Sequence, residues 1–230
     1  MAINNLILTG GINHDFEDAS EALAGVLAQS GIKSTIYSDF DRGLDAIGDG
    51  PDLVTLFALR WRMLDHEKYI PFREEWAYEI SERHRSLLSG YIRNGGGLLG
   101  LHTTAICFDT WPEWQNLLGA KWVWGCSFHP EPATLEIVNM NQDHPTTSGL
   151  SDFQVMDELY HNIEPAKGAT PLFQAFSAEN GSVQILAWAQ EVGGGRSVYS
   201  ALAHDRQSIE TEGHSKFLQQ AAGWLAGEKS

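Results

Sequence analysis

Short apolar runs and amphipathic stretches alternate along the first hundred residues. The runs predict buried strands, whereas the stretches with apolar residues three and four positions apart predict helices. The predicted strands are residues 6–8, 35–37, 52–57 and 97–101. Of the two predicted helices, one begins after Asp15 and ends before Gly31, and the other covers about residues 79–93. Continuous apolar strands that alternate with helices indicate a parallel sheet that is covered on both faces.

The second half of the chain is less regular. Residues 133–138 alternate in polarity and predict a strand, and residues 183–188 and 197–202 predict two strands joined by a tight return at Gly193–Gly195. A last helix is expected from about Gly213. No internal repeat or low-complexity linker divides the chain. We therefore predict one domain over residues 1–230, with an α/β fold built on a doubly wound, mostly parallel sheet with a few antiparallel additions.

Charge and composition exclude several classes of protein. The 230 residues include 15 Lys and Arg against 30 Asp and Glu, so the net charge is −15. A surface this acidic repels phosphate backbones and anionic lipids, and no apolar run approaches the ~18–20 residues of a membrane span. Cys107 and Cys126 have no metal-type or redox-type spacing, and the N-terminus lacks a signal-peptide pattern. We expect a soluble cytoplasmic protein that binds neither nucleic acid nor membranes.

Polar side chains follow several of the predicted strands directly. His14 follows the first strand, Trp61 the third, His102 the fourth and His204 the last. Ligands of such sheets bind at the carboxyl ends of the strands, so we expect the three histidines to meet at one edge. Imidazoles there suit either metal binding or acid–base catalysis near neutral pH, and the sequence does not separate these uses. The cofactor stays open, with a divalent metal on the histidines as the candidate.

Two further segments carry reactive side chains. Asp157, Glu158, Tyr160 and His161 fall within five residues. The run His129-Pro-Glu matches the end of an amidotransferase triad, but it follows His102 by too few residues for that fold, so we treat the match as chance.

Tryptophan is frequent and clustered. Of eight tryptophans, four lie between Trp111 and Trp124. Flat aromatic faces with polar edges suit sugar rings, although most large aromatic residues fill a core or an interface between subunits. We single out Trp61 because it follows a strand end. Residues 60–79 are expected to be an insertion at the same edge, either a lid or a dimer contact, and a homodimer through the Trp-rich segment is expected.

Several short segments, taken in their order along the chain, carry a family likeness. They are Thr9–Gly11 with His14–Phe16, Gly95–His102, Trp114–Gly119, His129, Asp143–Thr146, Asp157–Tyr160 and Gly195–His204. Together they resemble the ThuA-like (trehalose-utilisation) proteins, a branch of the class I glutamine amidotransferase-like, flavodoxin-type fold. The resemblance implies that His102 stands where amidotransferase relatives carry a nucleophilic cysteine, so thioester chemistry on glutamine is excluded. Ala203 departs from the family pattern, in which a glycine is more usual.

The resemblance also implies a substrate class. ThuA-like proteins are associated with sugar catabolism, often beside dehydrogenases that oxidise a glycoside at C3, so the implied substrate is a glycoside or disaccharide in its 3-keto form. A ketone at C3 acidifies the C2 proton, and its removal allows the group at C1 to leave before water adds. This chemistry needs a base, an acid and a stabiliser of the enolate. We predict catalytic parts for His102, Glu158 and His204, with His102 and Glu158 as acid and base. Substrate contacts are predicted for His14, Trp61, His129, Asp157 and Tyr160. For His14, His129 and His204, enolate stabilisation or metal binding is also considered.

Three alternatives remain at this point. A keto-sugar isomerase would use the same base, and a sugar-binding module would need no catalytic group. An ordinary glycosidase would need two carboxylates about 5 or 6.5–9.5 Å apart. Asp157 and Glu158 are adjacent, so on an extended segment they point to opposite sides, which argues against that pair.

Overall fold

Eleven strands and seven α-helices make up residues 3–227, the part of the chain that the structure, a computed structural model, describes. The predicted domain also includes residues 1–2 and 228–230, which lie outside the described residues. The strands are β1 (Ile3–Gly10), β2 (Ile32–Tyr37), β3 (Leu53–Ala58), β4 (Gly97–Leu101), β5 (Ala120–Lys121), β6 (Ala133–Asn139), β7 (Phe153–Asp157), β8 (Glu164–Pro165), β9 (Thr170–Ser177), β10 (Ser182–Val192) and β11 (Gly195–Ser200). The helices are α1 (Phe16–Ala28), α2 (Phe40–Ala46), α3 (Arg73–Trp76), α4 (Glu82–Arg93), α5 (Trp114–Leu118), α6 (Arg206–Glu210) and α7 (Glu212–Leu225).

One nine-stranded sheet, in the order β2-β1-β3-β4-β11-β10-β9-β6-β7, organises these elements. The first five strands are parallel, and the other four add to them in antiparallel fashion. Helices α1, α6 and α7 pack together, as do α2 and α4. The predicted α/β class with a mostly parallel part and antiparallel additions is therefore confirmed.

The apolar pattern explains where the central elements lie. Every residue of β3 and β4 is buried, as expected for strands covered on both faces. Helix α1 begins where predicted, because the Asp15 side chain accepts a hydrogen bond from the Asp18 N–H at 3.1 Å. Helix α4 begins three residues later than expected, since Ser81 provides its N-cap.

The predicted return between the last two strands is a hairpin of β10 and β11. Gly193 has a φ of +63°, and a Cβ atom there would lie 2.8 Å from the Arg93 carbonyl oxygen. Both observations require glycine at this turn.

The ribbon of β6 and β7 leaves the sheet and comes back to it. Strand β6 pairs with β9 at only two positions, but with β7 at five. The end of β7 lies beside the residues that follow β11, where the Ala203 N–H donates to Asp157 Oδ2 at 2.8 Å. A segment from the far edge of the sheet therefore reaches the carboxyl ends of the parallel strands. Within residues 3–227, no helix combines the length and the apolar character that crossing a membrane requires.

Candidate active site

His102 lies at the sharp turn that ends β4. Its φ of +50° is uncommon for a residue with a side chain, and the turn is held by the two threonines that follow. Thr103 donates to the Ala58 carbonyl at 2.8 Å, and Thr104 donates to the Leu56 carbonyl at 2.6 Å. The neighbouring strand β3 thus fixes the position of His102.

The imidazoles of His102 and His14 meet at their Nε2 atoms. His102 Nδ1 donates to the Ala201 carbonyl at 2.7 Å, and His14 Nδ1 donates to the Ile12 carbonyl at 3.3 Å. Because carbonyl oxygens only accept, Nδ1 carries a proton in each ring, and the two Nε2 atoms lie 3.1 Å apart. Burial, with the nearby His102, lowers the pKa of His14 to about 3, so its ring is neutral at pH 7. The neutral His14 ring can therefore offer the lone pair of its Nε2 atom to a cation.

Glu158 and His204 complete the cluster. Glu158 Oε2 lies 3.3 Å from His102 Nε2, and Glu158 Oε1 lies 3.4 Å from His204 Nδ1. Burial opposes ionisation of Glu158, but His102 and His204 outweigh it and hold the pKa of this carboxyl below its usual range. In return, Glu158 raises the pKa of His204. Glu158 Oε2 and His204 Nδ1 are nevertheless buried without a hydrogen-bond partner among the described residues.

These four side chains fit a divalent metal ion. One ligand atom from each of His14, His102, Glu158 and His204 lies within 4.8 Å of the other three. Three imidazoles and one carboxylate suit zinc and related first-row metals. Histidine ligands usually donate their second ring nitrogen to a carbonyl or carboxylate, as His14 and His102 do. A bound cation would also satisfy the unpaired oxygen and nitrogen atoms, which otherwise cost free energy.

Asp157 holds the backbone of Glu158 and His204 in place and is not among the pocket-lining residues. Its side chain is fully buried. Oδ1 accepts from the Glu158 N–H at 2.7 Å, while Oδ2 accepts from the N–H groups of Ala203 and His204 and from the Ser208 hydroxyl. The predicted sugar contact of Asp157 does not agree with this placement, because both of its oxygens are used within the fold.

Tyr160 and His129 both lie close to the cluster of His14, His102, Glu158 and His204. The Tyr160 hydroxyl is 3.2 Å from His102 Nε2, and burial raises the pKa of this phenol, so it keeps its proton. Tyr160 is almost fully buried, which leaves it little surface for the predicted sugar contact. His129 is exposed, and its Nδ1 lies 3.3 Å from Glu158 Oε2. Its ring stacks on Tyr160 at 5.3 Å.

A pocket of about 450 Å³ opens onto the cluster. Glu158 is the one carboxylate among its lining residues, which argues further against a pair of carboxylates as in glycosidases. His102 is fully buried and contributes to the pocket only through the groups around it. The lining consists of Asn13, His14, Leu59, Trp61, Lys68, Tyr69, Thr103, Ile106, Trp122, Trp124, Ser127, Phe128, His129 and Glu158.

The tryptophan that presents most surface in this pocket is not the one predicted. Trp61 lines the pocket but is 1% exposed, and its Nε1 donates to Asp65 at 3.0 Å. Trp124 is 37% exposed. The sequence reasoning missed Trp124 and also Lys68 and Tyr69 of the inserted segment 60–79. The spacing of Trp122 and Trp124 was the available signal, because alternate residues of an extended segment face the same side.

Cys107 has no catalytic surroundings. Its thiol is buried, donates to the Ala58 carbonyl at 3.2 Å, and has its pKa raised to about 12 by burial. A reactive cysteine needs the opposite shift. The geometry therefore agrees with the exclusion of amidotransferase chemistry.

Comparisons with known proteins show which family the chain resembles. The family model ThuA, described as trehalose utilisation, matches residues 5–225. A putative ThuA-like protein from Parabacteroides merdae is 20% identical with a TM-score of 0.77, and the match covers 100% of this chain and 91% of that one. A cytoplasmic protein from Salmonella typhimurium LT2 is 13% identical with a TM-score of 0.64, covering 97% and 99%.

A β-galactosidase from the Antarctic haloarchaeon Halorubrum lacusprofundi is 14% identical with a TM-score of 0.62, and the match covers 99% of this chain but 30% of that chain. These structural likenesses show the fold alone. No curated protein matches the chain significantly.

Proposed function

The chain belongs to the ThuA (trehalose utilisation) family, and from that premise we propose that it is a metal-dependent enzyme that cleaves a 3-keto glycoside or disaccharide. Membership of the family indicates a role in sugar utilisation. The observation that carries the finer proposal is the convergence of His14, His102, Glu158 and His204, with unpaired acceptor atoms, at the end of a pocket.

The metal site is part of this proposal. His14, His102, His204 and Glu158 would hold the ion, and Asp157 would fix the backbone of the last two. When bound, a divalent cation supplies Lewis-acid polarisation of a carbonyl group and stabilises developing negative charge. That property suits a keto sugar, whose reaction passes through an enolate.

The reaction follows from the acidity of the C2 proton beside a ketone. A base takes this proton, and the C2–H electron pair is delocalised into the C3 carbonyl. Its return forms the C1–C2 double bond while the C1–oxygen bond breaks, and the leaving oxygen takes a proton. Water then adds across the double bond, with hydroxyl at C1 and a proton at C2. The sum is hydrolysis of the glycosidic bond.

His129 is the side chain placed best to move the proton. It is exposed in the pocket, and its Nδ1 lies 3.3 Å from Glu158 Oε2, within reach for a proton relay. His102 was predicted as half of the acid–base pair, but it is fully buried and accessible only as a ligand. We therefore assign proton transfer to His129 and metal-ligand parts to His14, His102, His204 and Glu158. The metal-ligand part of His14 replaces the sugar contact predicted for it, and the sugar contact of Trp61 stays a prediction.

The test is proton NMR of the purified protein with 3-keto-trehalose in deuterated buffer, with unoxidised trehalose as control. We expect loss of the C2 proton signal together with glucose release from the keto sugar alone. In the His129→Gln variant, the rate of C2 proton loss and the rate of glucose release should both fall at least about 100-fold. The matched control is His144→Gln, whose ring packs on Trp224 outside the pocket.

The other results would each favour a different function. Proton exchange or rearrangement without glucose would identify an isomerase, and cleavage of plain trehalose would identify an ordinary glycosidase. If neither sugar changes, the proposed reaction on this substrate is wrong and a sugar-binding role remains. A homodimer and a cytoplasmic location stay predictions that this experiment does not address.

A further inference from the structure

Two chemically different groups of side chains line the pocket. One comprises His14, His129 and Glu158, where we place the reaction. The other, which we call the aromatic wall, comprises Trp61, Tyr69, Trp122, Trp124 and Phe128, and its Trp122 ring lies 6.1 Å from the His129 ring. No step of the proposed reaction uses the aromatic wall, so its side chains need a separate explanation.

Trp124 is held in one orientation although much of its ring is exposed. It stacks on the buried Trp61 with ring centroids 6.2 Å apart and an interplanar angle of 26°. Tyr69 meets Trp61 edge-on at 5.0 Å and Trp124 at 6.3 Å. Trp61 is itself fixed by its bond to Asp65. An ordered, exposed indole costs no further ordering entropy when a ligand covers it.

Polar groups border these rings. Lys68 Nζ lies 4.9 Å from the centre of the Tyr69 ring, and Ser127 lines the same pocket. Aromatic faces beside hydrogen-bonding groups match a pyranose ring, which has apolar C–H faces and hydroxyls at its edge. The cavity of about 450 Å³ is within the range of ~300–1,000 Å³ that encloses most of a drug-sized ligand.

We propose that the aromatic wall is the subsite for the second, non-reacting sugar ring, with Trp124 as its stacking platform. This inference rests on the proposed function, because that function places the reacting ring beside His129 and Glu158. It narrows the substrate to glycosides whose leaving group is itself a pyranose. Free monosaccharides and glycosides of small alcohols would leave the aromatic wall empty.

Binding measurements test this subsite without any turnover. Calorimetric titrations would compare three unoxidised disaccharides (trehalose, maltose and cellobiose) with methyl α-glucoside and methyl β-glucoside. We expect at least one disaccharide to bind about tenfold more tightly than either methyl glucoside. The Trp124→Ala variant should remove this preference while it leaves methyl glucoside affinity within about twofold. Trp124→Phe, which keeps an aromatic face, should retain most of the preference.

The control is Trp224→Ala, which removes a tryptophan on α7 that packs on His144 and Arg196 outside the pocket. The inference is wrong if no disaccharide binds more tightly than the methyl glucosides, or if Trp124→Ala leaves the preference intact. Failure of the proposed function is distinguishable. Inert 3-keto-trehalose with an intact disaccharide preference would refute only the reaction, whereas turnover without any preference would refute only the subsite.

Discussion

Two groups of side chains meet at one pocket but are positioned by different forces. They are the aromatic wall and the histidine cluster, which consists of His14, His102, Glu158 and His204. His14, His102 and His204 follow parallel strands, so the register of the sheet brings them together. The aromatic wall comes from connecting segments, residues 61–69 and 122–128, and its rings are ordered by packing on one another. The proposed function thus places its chemistry on the strand ends and its substrate recognition on connecting segments, the part of a fold that varies most easily.

The largest expected effect separates Trp61 from Trp124 within the aromatic wall. Trp61→Ala removes a buried ring, so we expect the free energy of unfolding to fall by about 3–5 kcal/mol. Trp124→Ala removes an exposed ring and should cost less than about 1 kcal/mol. Urea unfolding of both variants measures this. Equal losses would show that Trp124 is part of the core and not a binding surface.

The next effect concerns how Asp157 positions the histidine cluster. In Asp157→Asn, an amide replaces one of the two oxygens that accept from Glu158, Ala203, His204 and Ser208. We expect Zn²⁺ affinity to fall about 10–100-fold, the usual loss when a supporting partner of metal ligands is removed. Calorimetric titration of the folded variant gives this number. A lower melting temperature with unchanged Zn²⁺ affinity would mean that Asp157 serves the fold alone.

The histidine cluster could be predicted from the sequence more completely than the aromatic wall, and the reason is physical. A strand end follows from an apolar run and the residue after it, so three histidines from distant segments were brought to one edge correctly. Glu158 was selected from its neighbours in sequence, but nothing in the pattern indicates that the β6–β7 ribbon returns to that edge. Asp157 was expected to contact a sugar, whereas its burial depends on donors from residues 203–208, which a local pattern does not reveal.

The aromatic wall and several helices and strands were more difficult to predict from the sequence. The sequence singled out Trp61 from its position after β3, but whether a ring is buried depends on what packs against it. Helix α2 and strands β7 and β9 were not predicted. In β2, the polar residues Lys33 and Ser34 hid the start of the strand at Ile32, because an edge strand tolerates polar side chains.

A smaller effect is a pH dependence of the free energy of unfolding, caused by the buried His214. His214 is fully buried, and burial lowers its pKa. The folded state therefore excludes a proton that the unfolded chain binds below about pH 6.5, so stability falls as the pH drops below that value. For one proton the slope is at most about 1.4 kcal/mol per pH unit. Unfolding at several pH values should give a flatter profile for His214→Gln, and an unchanged profile would assign the dependence to other groups.

The smallest expected effect is at Ala203, which carries a φ of +92° next to His204. This backbone region is costly for alanine and free for glycine, although glycine loses more entropy on folding. We expect Ala203→Gly to raise the free energy of unfolding by up to about 1 kcal/mol, with no change in Zn²⁺ affinity. A destabilised variant would show that the methyl group contributes packing that outweighs the strain.

Metal binding by the purified protein tests the central claim most directly. After chelation, the protein would be titrated calorimetrically with Zn²⁺, Mn²⁺ and Co²⁺, beside His14→Ala and the control His144→Ala. We predict one equivalent of bound metal, an affinity at least about 100-fold lower for His14→Ala, and no change for His144→Ala. If none of the three ions binds, or if His14→Ala binds them as tightly as the unaltered chain, the cluster of His14, His102, Glu158 and His204 is not a metal site.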